Sequence, residues 1–156
     1  MRRAILSLAL SSAFLVAGPL LAQEATPVGV WKSIDDSTGE PKALIQISEQ
    51  DGQLQGRIVK LFRKPGEDPD PVCDECTDQR KGQKIVGMTI LTGLQREGEE
   101  WTGGMILDPK NGKVYKAKAE LEEGGDVLKV RGYLGFSLLG RTQEWQRQPE
   151  SAADGA

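Results

Sequence analysis

The chain contains no histidine. That absence removes the commonest general base, the commonest zinc ligand and the usual partner of a nucleophilic serine or cysteine, so most familiar hydrolase mechanisms are excluded with it. Cysteine is nearly as scarce: Cys73 and Cys76 are the only two, and a zinc site here would have to be completed by carboxylates alone. Past the N-terminal apolar run, no stretch of ten residues carries an apolar stripe at helical spacing. Positive charge is not in excess either. Without Arg2 and Arg3, 18 basic residues face 23 acidic ones, a net charge near −5. This favours solubility and argues against nucleic acid as a partner.

What is present begins with a leader. Met1-Arg2-Arg3 followed by the apolar run 4–22 has the outline of a secretory signal peptide, with Ala22 at the −1 position of a cleavage before Gln23. The run is barely long enough to span a bilayer and is interrupted by Ser7, Ser11, Ser12, Gly18 and Pro19. The expectation is therefore a periplasmic or secreted protein without a stable membrane anchor. Residues 1–22 read as signal peptide, 23–148 as one β-barrel domain and 149–156 as a small, polar tail without structure.

Short runs rich in valine, isoleucine, threonine and aromatics alternate with turns, which predicts eight strands at 28–34, 43–49, 53–61, 87–96, 99–107, 113–121, 127–133 and 141–146. Asp51-Gly52, Glu97-Gly98, Asn111-Gly112 and Gly124-Gly125 supply hairpin turns that tolerate positive φ. Alternation turns Tyr115, Ala117, Ala119 and Leu121 inward, with Leu128 and Val130, unless a bulge near Gly132 changes the count; it gives Trp101 the same face as Gly103, Met105 and Leu107. The fold class is all-β, a single eight-stranded antiparallel up-and-down barrel. Such a barrel is either filled by side chains or holds one small ligand.

Two segments break the pattern. Residues 62–84 carry Pro65, Pro69 and Pro71 among many charges, the mark of a long loop that is functional, disordered or locally cross-linked. Residues 132–140 are nearly all apolar and punctuated by glycine, suited to plugging one barrel end or lining a mouth.

Gly29-Val30-Trp31, Asp35-Asp36 with Gly39, Cys73-Asp74-Glu75-Cys76, Trp101-Thr102-Gly103-Gly104, Asp108-Pro109, Asn111-Gly112-Lys113-Val114-Tyr115, Arg131-Gly132-Tyr133 and Gly140-Arg141-Thr142-Gln143 occur in this order. Together they resemble the bacterial family known as domain of unknown function 2147, from Gly29 to Arg147. The resemblance implies an exported, lipocalin-like barrel and implies no established activity.

Each chemical constellation has a plain alternative. Cys73 and Cys76 read as a structural disulfide in an oxidising compartment. A redox role is opposed by Asp74 and Glu75, since neighbouring negative charge raises a thiol pKa. Asp35, Asp36 and Asp108 form either a carboxylate group for acid/base or metal chemistry or, on stronger grounds, turn-capping residues. In the last strand, Arg141 and Gln143 share a face with Trp145. If that face is inward, a guanidinium lies at or inside the barrel and must be paired. Trp31, Trp145 and Arg147 are the candidates for barrel closure, an arginine stacking on Trp31 across the end strands.

These residues call for no catalytic group, metal or cofactor. The leading expectation is a binding protein for a small, partly apolar molecule, with Trp101, Tyr115, Arg131, Tyr133, Arg141 and Gln143 as ligand-binding candidates. The first alternative is a cell-envelope structural or interaction protein that acts through its loops, residues 132–140 above all. An enzyme dependent on carboxylates or on the Cys-x-x-Cys ranks third.

Overall fold

A computed structural model describes residues 25–154; the expected signal peptide lies outside the described residues. Eight strands follow in order: β1 (Gly29–Ile34), β2 (Pro41–Gln50), β3 (Gln53–Leu61), β4 (Thr89–Glu97), β5 (Glu100–Asp108), β6 (Lys113–Glu122), β7 (Val127–Tyr133) and β8 (Gly140–Gln148). Each pairs with the next, and β1 pairs antiparallel with β8, which closes the barrel and leaves no exposed edge. The period-2 alternation of the sequence therefore has two consistent faces, and the inward set makes the core.

The connections β2–β3, β4–β5 and β6–β7 gather at one end, with the segment entering β1. That end is shut by Trp31, fully buried, and by Arg147, whose guanidinium carbon lies 4.2 Å from the centre of the Trp31 ring. Arg147 donates hydrogen bonds to the backbone oxygens of Gly125 (2.6 Å), Thr26 (2.7 Å) and Val28 (3.1 Å), and the Trp31 indole N–H donates to Pro27 O at 2.8 Å. Gly29 completes the arrangement. Its φ is +137°, and a Cβ there would lie 2.9 Å from Arg147 Nη1. The Gly-x-Trp at one end of the sequence and the arginine at the other are thus one structure.

One face assignment fails. The β5–β6 register shifts between Trp101 and Gly104, with Gly103 at φ +75° as the extra residue. Trp101 stays buried, but Met105 turns outward to 42% exposure, and Gly104 and Ile106 stand opposite the inward Ala117 and Tyr115. Gly104 is required at its position because a Cβ would meet Leu94 Cγ at 2.6 Å. No bulge occurs at Gly132, whose pairings with β6 and β8 are regular. The tail also departs from expectation: Ser151–Asp154 form a helical turn, started by the Ala152 and Ala153 amides donating to Pro149 O and Glu150 O.

The long β3–β4 connection is ordered and cross-linked. Cys73 and Cys76 form a disulfide and are fully buried. Around them, Val72 bridges Lys84, the Cys73 amide donates to Gln83 O, and the Gly82 amide donates to Cys73 O. The loop docks on the β5–β6 turn so closely that a Cβ on Gly112 would come within 1.8 Å of Glu75 O.

Candidate ligand-binding site

The four connections β1–β2, β3–β4, β5–β6 and β7–β8 surround the other end, and between them opens a cavity of about 900 Å3. Its deep wall is apolar. Ala43, Ile45, Ile58, Ile90, Val130 and Trp145 line it, each no more than 6% exposed. Of these residues, alternation in the sequence turns Val130 inward, but it does not say which inward side chains meet a void and which meet each other.

Polar groups enter this wall at few points. The Ser33 hydroxyl donates to Ala43 O (3.4 Å), and Ser33 is the one polar residue buried among the described residues. Gln143 accepts the Trp145 indole N–H through Oε1 at 3.2 Å, which leaves its amide NH2 without a protein partner among the described residues. Tyr115 lies on the wall with its phenol oxygen accepting from Asn111 Nδ2 at 3.1 Å, and Tyr133 lines the cavity above it.

Charge is confined to the rim, where three of the cations are paired. Lys64 pairs with Glu40, Arg63 with Glu67 and Arg141 with Asp36. Alternation places Arg141 on the Gln143 and Trp145 face, all three lining the cavity. Of the two places expected for the guanidinium, at the barrel or inside it, Arg141 takes the first: its side chain is 65% exposed at the mouth and is held by Asp36, which lies across the closing seam of the barrel. The partner it needed is supplied by the protein.

The rim carboxylates are engaged locally. Asp35 Oδ1 accepts from the Ser37 hydroxyl and from the Ser37 and Thr38 amides, and these bonds, the hydroxyl first, draw its pKa from 3.8 down to about 2. Asp108 Oδ1 accepts from the Lys110 amide at 3.0 Å. Among the described residues no group of three or more acidic or cysteine side chains is placed to hold a metal.

The remaining candidates lie elsewhere. Trp101 is buried toward the closed end with Arg96 5.6 Å over its ring. Arg131 lies on the outer face and donates to Ser137 O, Leu138 O and Thr142 Oγ1, so it fastens the β7–β8 connection. Trp145 has two roles, pairing with Ser33 in the closing ladder and forming part of the cavity wall.

A family model described as "Uncharacterized protein conserved in bacteria (DUF2147)" matches residues 29–147. No curated protein matches. Among solved structures, a Helicobacter pylori protein, HP1028, described as belonging to the lipocalin family, superposes with a TM-score of 0.71 over 84% of this chain and 88% of its own, at 13% identity.

Proposed function

Since the chain belongs to the bacterial domain of unknown function 2147 family and has a lipocalin-like barrel, we propose that it binds a small, partly apolar molecule in the barrel cavity. The observation that carries the reading is the cavity itself. About 900 Å3 lies within the range of small-molecule sites, roughly 300 to 1,000 Å3, and combines an apolar wall with few convergent polar groups as such sites do.

The same wall constrains the ligand. No charged side chain is buried in it, and Arg141 is already paired with Asp36, so an anionic end would reach only the exposed rim lysines Lys42 and Lys110 or would have to displace a carboxylate. A neutral polar end fits better: the Gln143 amide NH2 and the Tyr115 hydroxyl are donors beside apolar surface. Asp35 is a poor match for an acid/base role, because a carboxyl held near 2 is a weak base at neutral pH. We further propose export to an oxidising compartment, which the leader-like residues 1–22 and the Cys73–Cys76 disulfide support.

Native mass spectrometry of the protein purified from its own cells tests the reading, with a fluorescent fatty alcohol as a surrogate. A co-purifying small molecule is expected, along with surrogate binding that Ala43→Phe weakens by at least tenfold by filling the wall. Protein that arrives empty, and that binds the surrogate equally well before and after this substitution, would exclude the cavity as the site.

A further inference from the structure

The β7–β8 connection is apolar, uncharged and turned to solvent. Leu134, Phe136, Leu138 and Leu139 are 59%, 79%, 89% and 74% exposed, and no charged residue stands between Tyr133 and Arg141. Such a cluster is uncommon on a free surface and marks a contact site. It is also held in one shape. Arg131 donates to Ser137 O and Leu138 O, and the Leu139 amide donates to Phe136 O. The carbonyl oxygens of Phe136, Ser137 and Leu138 are therefore satisfied from within, which lowers the cost of placing them where water is scarce.

The flank of the tip is cationic. Lys116 stands opposite Tyr133 in the β6–β7 ladder, Lys113 continues β6 toward the mouth beside the tip, and Lys110 lines the mouth with Leu134 and Leu139. All three lysines are exposed, and none forms an ion pair among the described residues, with Asp108 standing opposite Lys113 in the β5–β6 ladder. A protein with more acidic than basic residues thus concentrates unpaired positive charge beside its most exposed apolar side chains.

We propose that residues 134–139 dock on an anionic lipid bilayer, the leucines and Phe136 entering the headgroup boundary while Lys110, Lys113 and Lys116 meet lipid phosphates. Apolar insertion and basic attraction are each weak alone and reinforce one another at an anionic surface. A protein partner is the less suitable occupant. The side chains project from a short turn instead of forming a groove, and the closed barrel offers no strand edge to extend. Docking here would bring the cavity mouth to the membrane, yet it does not depend on the cavity being filled.

Phe136→Trp in the full chain provides the test, because the native tryptophans Trp31, Trp101 and Trp145 are buried at 0%, 7% and 1% exposure. Trp145 lines the cavity, so the native chain is measured beside the variant and the difference between the two reports the tip. The probe is a vesicle of phosphatidylcholine brominated on its acyl chains, with or without phosphatidylglycerol. With phosphatidylglycerol the emission of that indole is expected to shift to the blue and be quenched. The effect should disappear when Lys110, Lys113 and Lys116 are all replaced by Glu, and weaken at roughly 0.5 M salt, where charges are screened beyond a few ångströms. Equal quenching on both vesicles, or quenching that survives the three Glu replacements, would overturn selection for an anionic bilayer. An indole that stays in water on both would overturn docking on a bilayer altogether.

Discussion

The two ends of the barrel use the same residue types for opposite purposes. At the closed end Arg147 lies on Trp31 and gives its N–H groups to three backbone oxygens, so its charge is spent on fixed partners that cannot move away. At the mouth Arg141 meets a carboxylate in water, an exposed pair of the kind that contributes about 0 to 1 kcal/mol and exchanges easily. Tryptophan shows the same contrast. The Trp31 indole N–H is bonded to the backbone of its own segment, whereas Trp145 bonds to Gln143 on a wall that faces a void. Packing to the limit at one end gives the stability that permits an unfilled volume at the other.

If this division is right, the largest loss of stability should come from the closed end. Trp31→Ala is expected to destabilise the fold by about 3 to 5 kcal/mol, the usual cost of emptying a large buried aromatic site, and to leave Arg147 without its ring. Equilibrium denaturation measures this. A loss below about 1 kcal/mol, less than the usual cost of such a cavity, would mean that the end strands are held by something other than this stack.

A smaller effect is expected where the mouth loop is fastened. Replacing Cys73 and Cys76 together by alanine should cost about 2 kcal/mol on loop entropy for so short a ring. The change should be felt first in the loop. Amide exchange at Cys73 and Gly82, which donate to Gln83 O and Cys73 O, should accelerate well before exchange along the β1–β8 seam. Uniform acceleration at both places would show that the loop and the closed end unfold as one unit, and the contrast between the ends would fail.

The closed end is the more legible half in the sequence, for a physical reason. Gly29, Trp31 and Arg147 each have a chemical role that a residue type announces: a glycine where a guanidinium approaches, an indole to bury and a cation to lay on it. Strand alternation and the Asp-Gly and Asn-Gly turns likewise express local backbone preferences. The mouth depends on longer-range facts. Gly103 shifts the face of β5 by one residue, and nothing in Gly103-Gly104 says which glycine is the bulge and which makes room for Leu94. Alternation puts Arg141 on the correct face, but its partner Asp36 is 105 positions away. The cavity is set by the volume that Ala43, Ile45, Ile58 and Ile90 fail to fill, a property of the assembled barrel and not of any segment. Exposure of Phe136 and Leu138 is of the same kind, since an apolar run reads alike whether it plugs an end or projects from it.

The smallest expected effect belongs to the rim turn, and it sharpens the comparison by its locality. Asp35 in the β1–β2 connection is held near 2 by the Ser37 hydroxyl and the Ser37 and Thr38 amides, against an ordinary value of 3.8. A folded-state pKa below the unfolded one means that the turn is stabilised fully above about pH 4 and loses that stabilisation as pH falls through about 2. Native protein should therefore exceed Asp35→Ala in stability at about pH 5 by a small margin that narrows below about pH 4 and closes only below about pH 2, while the Trp31 stack, whose guanidinium stays charged throughout, keeps the same worth. Carboxyl titration by NMR reads the group directly. A midpoint near the ordinary 3.8 would show that the turn does not grip its carboxylate, and a margin unchanged at low pH would show that Asp35 acts through its shape and not its charge. Either way the effect must stay on the mouth side, because the bonds of Arg147 and Trp31 all go to the segment entering β1 and to the β6–β7 connection, at the opposite end from that turn.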